Sequence, residues 1–428
     1  MIRSTIGVLL AFTAVGSAQS GRSYGPGRTW WDAGTGAVMP WEESYDNPDG
    51  LVNVLNRKGA VRTQDHPFFE ALGTNGRACV TCHQPANAMS LAAATLRERW
   101  RESEGKDPVF AAIDGANCPD LPPADVRSHS LLLDRGVFRI FLPWPPKDKP
   151  EFRIEVVRDP TGCALTKGRI SVYRRPRIAA NLDALVAGPD GPVLMSDGRE
   201  PTLRAQAISA ILGHEQGPAQ PSEEYLRRIV EFESQIYTAQ SADIRGGLLN
   251  EREGPAILGP DNLASGRAGA LGLLQNTTLF DAWRKPPGAA DMGVQLEFRA
   301  SVARGSDIFA ARCAGCHSPG STRWMDIGTA NRVPEKAAAD LPLFRITCQT
   351  TGEVTYTQDP GRALISGKCV DLGAIVVPQL RGLAARAPYF SNGSAPTLPD
   401  VVEFYEGRFG LKYSPAQKRD LVNFLRVL

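Results

Sequence analysis

The sequence is poor in histidine and methionine, with five and six respectively among 428 residues. It lacks a dominant charge: 48 lysines and arginines stand against 46 aspartates and glutamates, a net charge of +2. That balance gives no ground for nucleic acid or an anionic membrane surface as partner. Beyond the first eighteen residues it lacks any apolar run of membrane-spanning length. It also lacks low-complexity segments and, one duplicated motif aside, internal repeats. After His317 there is no further histidine, and after Met325 no further methionine.

Cysteine is where the chain is specific. Four of its eight cysteines form two copies of one motif, Cys79-Val80-Thr81-Cys82-His83 and Cys313-Ala314-Gly315-Cys316-His317. Cysteines three apart on one helical turn reach the two vinyl groups of one haem, and the next residue offers its imidazole to the iron from the same side. Zinc would need four ligands, and neither copy has a second pair nearby. A thioredoxin-like pair needs no following histidine and opens a helix after a buried strand, which "ALGTNGRA" does not suggest. The spacing therefore predicts two covalently bound haems c, attached at Cys79, Cys82, Cys313 and Cys316, with His83 and His317 as iron ligands.

The N-terminus, "MIRSTIGVLLAFTAVGSAQS", has Arg3, a short apolar run and small residues before position 19, the pattern of a signal peptide over 1–18. Export to the periplasm as a soluble protein agrees with covalent haem attachment. Cys118, Cys163, Cys348 and Cys369 remain, an even number in an oxidising compartment. Three connectivities are open to them; pairing within each half is the simplest, and four buried thiols are the alternative.

With 33 prolines and 42 glycines the chain reads as short helices among long ordered loops. "SLAAATLRERWRESEGKD" has a helical stripe, as does "EEYLRRIVEFESQIYTAQ", with Ile229, Phe232 and Ile236 on one side. "GVFRIFLPW", "EFRIEVVRD" and "RISVYRRPRI" alternate apolar and polar residues, predicting a three-strand insertion at about 136–178. The closing "SPAQKRDLVNFLRVL" has a Ser414/Gln417 capping box with Pro415 at the first helical position. The expected fold is mainly α. It has two cytochrome c-like haem domains facing each other, 19–294 with the reactive haem and 295–428 with the electron-transfer haem, and a small β-strand insertion in the first.

The sixth iron ligand separates carriers from catalysts, because a haem that reacts with peroxide or dioxygen keeps one axial position open. In the second domain the candidates are Tyr389, Tyr405, a residue of the first domain, or nothing. In the first, His66 and His129 read as polar structural residues. His214 ends the apolar helix "LRAQAISAILGHEQ" with Gln206 and Gln216 near it. Such a group is either a helix cap steadied by the dipole or a proton donor and acceptor facing the haem.

"SDGREPTLRAQA", "TQDPGRALISGKC", "VPQLRGLAARAPYFSNGSAPTLPDVVEFY" and the closing helix resemble the bacterial dihaem cytochrome c peroxidase and MauG family. The likeness covers most of the chain outside 100–165. It implies peroxide or dioxygen as oxidant at the first haem and electrons moving through the second. It also implies a small redox protein or quinol-linked donor, a homodimer, and a calcium ion between the domains with Asn181 as candidate ligand. Gln206 matches the family's distal glutamine, and Tyr405 falls where peroxidases have an axial methionine and MauG a tyrosine. Three positions depart. Ser196 replaces the tryptophan between the haems, Ser391 replaces a histidine, and Gln216 stands where the catalytic glutamate would be, which leaves His214 the proton chemistry. These departures point away from ordinary peroxide detoxification. The functional expectation is a dihaem c-type oxidoreductase, peroxidase-like or MauG-like. A non-catalytic electron carrier and an oxygenase acting on an organic substrate are the alternatives.

Overall fold

The computed structural model describes residues 29–146, 149–166, 168–183, 193–267, 274, 276–284, 293–317, 324–326 and 337–428. The signal peptide expected at 1–18 lies outside them. The described residues are 34% helical and 19% strand, a mixed α/β fold, and the mainly α expectation with a small β insertion is thereby overturned.

Two regions account for the difference. The first is an antiparallel four-stranded sheet in the order Gly247–Leu248, Ile236–Asp243, Gly50–Asn56, Glu42–Asn47. Its hairpin escapes the alternation test because Glu42, Glu43 and Ser44 are polar and buried. Ile236–Asp243 is buried along almost all of its length, its Thr238, Gln240 and Ser241 included, so it has no exposed face to alternate with a buried one, and it follows the helix Glu223–Glu233 after a two-residue turn. Pairing with Gly50–Asn56 decides its conformation; Ile236 belongs to this strand and not to the expected helix.

The second region is the insertion. Its strands form at Phe138–Pro143, Phe152–Arg158 and Arg169–Arg174, but they divide between two sheets. Phe138–Pro143 pairs with Arg169–Arg174. Phe152–Arg158 leaves them to pair with Leu343–Cys348, next to Val354–Thr357. The disulfides Cys118–Cys163 and Cys348–Cys369, Cα separations 5.7 and 5.9 Å, staple the two ends of this region.

Each motif rests on its own apolar core. Tyr45, Val52 and Val54 of the four-stranded sheet pack with Phe68, Phe69, Val80 and Phe232 around the first motif. Behind the second, the helix Gly293–Arg312 runs straight into Cys313 and is crossed by the closing helix Pro415–Arg426. Gly305 permits that crossing: a Cβ there would lie 2.1 Å from the Asp420 carbonyl oxygen. Asp420 then accepts from Ser301 at 2.5 Å and from Arg304 at 2.8 Å, which fixes the register.

Candidate functional site

Cys79–Cys82 forms a single helical turn, and the His83 backbone N–H closes it by donating to Cys79 O at 3.1 Å. His83 Nδ1 lies 3.1 Å from Met89 O, an arrangement that orients the ring and leaves Nε2 for a metal. Burial pushes its pKa down to about 4, so the imidazole is neutral, as a ligand must be. In the second motif the Cys313 and His317 N–H groups donate to Phe309 O and Cys313 O at 2.8 and 2.9 Å. His317 Nε2 lies 3.4 Å from Tyr405 Oη, with the two rings at 88°. Tyr405 sits on the helix Leu398–Phe409, whose Thr397/Asp400 capping box fixes its start. Burial raises the Tyr405 phenol pKa.

Both motifs open onto one cavity of about 590 Å³. Much of its wall is apolar, including Ile178, Leu182, Leu203, Ile229, Val377 and Leu421. All four motif cysteines are free thiols. Burial pushes Cys82 up to about 12 and Cys313 up to about 11, which keeps both protonated. Two thiols and one neutral imidazole per motif, set in an apolar cavity, fit haem c. Among the described residues no cluster of three His, Cys, Asp or Glu suited to a bare metal ion is present.

One face of the helix Leu203–Gly213 supplies Leu203, Gln206, Ala207 and Ala210 to the cavity, and His214 follows at its end. Thr202 caps that helix through a 3.0 Å bond from Ala205 N. His214 Nδ1 is 2.5 Å from Asp114 Oδ2, and Asp114 also accepts from Arg77 Nη1. Burial alone would raise the Asp114 pKa, but the Arg77 guanidinium and the His214 hydrogen bond together outweigh it and hold the carboxyl below its ordinary range. Since an ionised carboxylate only accepts, His214 Nδ1 carries the hydrogen of this bond, and in the neutral imidazole that tautomer leaves Nε2 with its lone pair. Arg77 is itself fixed by Pro108 O and Val109 O, both at 2.7 Å.

Gln216 is not brought to the cavity. Its φ of +56° turns the chain there, its side chain is exposed, and its carbonyl accepts from Thr74. The carboxylate in the wall is one residue earlier. Glu215 is buried, accepts from Leu72 N at 3.3 Å, and lies 3.5 Å from Cys79 Sγ. Gly73 allows this, because a Cβ on it would meet the Glu215 carbonyl oxygen at 1.7 Å. Burial pushes Glu215 up to about 7 and Glu233, also in the wall, up to about 8. Glu233 Oε2 has no hydrogen-bond partner among the described residues.

The remaining candidates are placed as follows. His129 is fully buried between Gly115 O and Pro123 O, both at 2.9 Å, and His66 packs edge-on against Phe69 and Phe232. Tyr389 donates to Leu383 O, while Ser196 and Ser391 line the cavity. The Asn181 carboxamide is occupied at both ends by the Thr238 backbone, at 3.0 Å each. Asp114, Arg77, Glu215 and Glu233 went unnoticed in the sequence. The detectable signals were the buried-looking "DGANC" loop and the carboxylate beside His214.

No family model matches the chain. A cytochrome-c peroxidase, IdrP1, of Pseudomonas sp. strain SCT is 27% identical over 185 residues, 37% of this chain and 48% of that protein. The IdrP1 of Denitromonas iodatirespirans is 28% identical over the same shares. The likeness supports a cytochrome c peroxidase-like family. An uncharacterised protein of Sinorhizobium fredii, y4iM, is 33% identical over 131 residues, 26% of this chain and 30% of its own. The chain spans about half the length of the cytochrome-c peroxidases it matches. No helix among the described residues is long and apolar enough to cross a membrane.

Proposed function

We propose that the chain is an exported, periplasmic dihaem c-type oxidoreductase, peroxidase-like or MauG-like. Cys79, Cys82 and His83 would hold a haem that supplies the site for hydrogen peroxide or dioxygen. Cys313, Cys316 and His317 would hold a second haem, which would supply electron relay from a small redox protein or quinol-linked donor. The observation that carries this reading is the single cavity with both motifs and His214 in its wall, His214 being held from behind by the buried Asp114. The names of the related cytochrome-c peroxidases agree with it.

Haem, when bound, supplies an iron that can take up an oxidant and exchange electrons with it. With peroxide the balance is two electrons and two protons to two waters. The chain's own residues handle the protons. Asp114 holds His214 with its hydrogen on Nδ1, so Nε2 can accept a proton from peroxide and return it to the departing oxygen. Gln206, on the same helical face two turns before His214, offers its carboxamide as a hydrogen-bond donor. Glu215 and Glu233, both raised by burial, hold protons near neutral pH beside the first motif. Tyr405, which faces His317, would help to hold the haem there and would favour an electron-relaying role for that site. Ser196 gives no aromatic ring between the two, so electrons cross without an indole there.

The test is reoxidation of the fully reduced, haem-loaded protein by peroxide and by dioxygen. The proposal predicts rapid reoxidation by at least one of them. Two intact haems that neither oxidant reoxidises would make the chain an electron carrier instead.

A further inference from the structure

The cavity wall contains a concentration of positive charge that nothing in the proposed chemistry uses. Arg175, Arg177 and Arg386 all line it. Arg175 is buried, and Arg177 and Arg386 are partly accessible. Among the described residues none of the three has a carboxylate partner: their side chains donate to backbone carbonyls alone. Arg175 donates to Leu91 O at 2.6 Å and Arg386 O at 2.7 Å, and Arg177 to Val376 O at 2.9 Å and Val377 O at 3.1 Å. Arg386 donates to Arg381 O at 3.0 Å and Gln379 O at 2.7 Å. The neighbouring Arg174 shows the contrast, for it is neutralised by Asp197 and Asp359.

Grouped cations away from bulk water are costly unless an anion joins them. Burial, and after it repulsion from Arg386, pushes the Arg175 pKa down to about 9. The bonds also locate the group. Arg175 and Arg177 come from the half with the first motif, and both reach carbonyls of the half with the second, so the trio sits at the seam between the two.

We propose that Arg175, Arg177 and Arg386 form a carboxylate-binding cradle that takes haem propionates at the seam between the two haem sites. The inference rests on the dihaem reading above. Guanidinium forks suit it, since each can pair with a carboxylate through two parallel N–H groups. Cationic side chains beside the propionates also favour the reduced iron, which has one positive charge fewer, so the trio would set potential as well as position.

The experiment is spectroelectrochemical titration of the haem-loaded protein, wild type against Arg386→Gln and Arg386→Lys, with intact mass to count attached haems. Arg386→Gln should keep both haems and shift at least one midpoint to a more negative value; Arg386→Lys should restore most of the shift. Arg177→Gln gives the same comparison if Arg386→Gln fails to fold. Two attached haems with unchanged midpoints in the Gln variants would overturn the cradle while leaving the dihaem reading intact. Wild-type protein without haem would overturn both. Midpoints that track added acetate or chloride in the wild type would assign the trio to a free anion and also overturn the proposal.

Discussion

Asp114→Asn separates orientation of His214 from its mere presence. The Asp114 carboxylate is buried, takes the His214 Nδ1 hydrogen at 2.5 Å and neutralises Arg77. An asparagine there keeps one acceptor oxygen but adds an amide that can turn toward His214. An N–H facing Nδ1 would move the imidazole hydrogen to Nε2, the atom assigned to proton uptake. The expected loss is that of a positioned acid–base group, about a hundredfold to ten-thousandfold in the rate of reaction with peroxide. Stability should fall too. Breaking one side of a buried ion pair costs about 3–5 kcal/mol, and Arg77 keeps its bonds to Pro108 O and Val109 O, which places the loss near the lower figure. Stopped-flow reaction of the folded, haem-loaded variant with peroxide reads the first effect, and thermal melting reads the second. In a double-mutant cycle His214→Ala should slow the reaction about a hundredfold or more, and adding Asp114→Asn should change little further. A folded Asp114→Asn variant that reacts at the wild-type rate would refute the orientation argument. Additive losses in the cycle would refute it as well.

Tyr405→Phe should alter the absorption and spin state of one haem only, and an identical spectrum would return Tyr405 to a packing role. Glu233→Gln should flatten the pH dependence of stability. The Glu233 pKa is raised in the folded state, so its penalty is absent below about 4.5 and grows as pH rises to about 8, at about 1.4 kcal/mol per unit; melts across that window in wild type and variant read the difference. Replacing Cys118 and Cys163 together by serine opens a crosslink of sequence separation 45. Stability measured by denaturant should fall by about 3–4 kcal/mol.

What could be read in the sequence was what chemistry or alternation makes local. The two Cys-x-x-Cys-His copies are legible because the proposed attachment and ligation would fall within five residues of chain. The strands at Phe138–Pro143 and Arg169–Arg174 and the Ser414-capped helix follow from local pattern. Long-range pairing was not legible. Buried polar residues hide the Glu42–Asn56 hairpin, and burial on both faces makes Ile236–Asp243 look like more helix. In the site, His214 and Asp114 are a hundred residues apart. The place of Glu215 over Gln216 is settled by a reversal of the backbone at Gln216, which neighbouring residue types do not announce.

The central claim is that one iron is open to oxidant and the other serves it. Low-temperature EPR of the ferric protein, with and without cyanide and with haem counted by mass, addresses it most directly. The account predicts two haems, with one high-spin signal that converts on adding cyanide. Two low-spin signals that ignore cyanide in both the ferric and the half-reduced protein would contradict it.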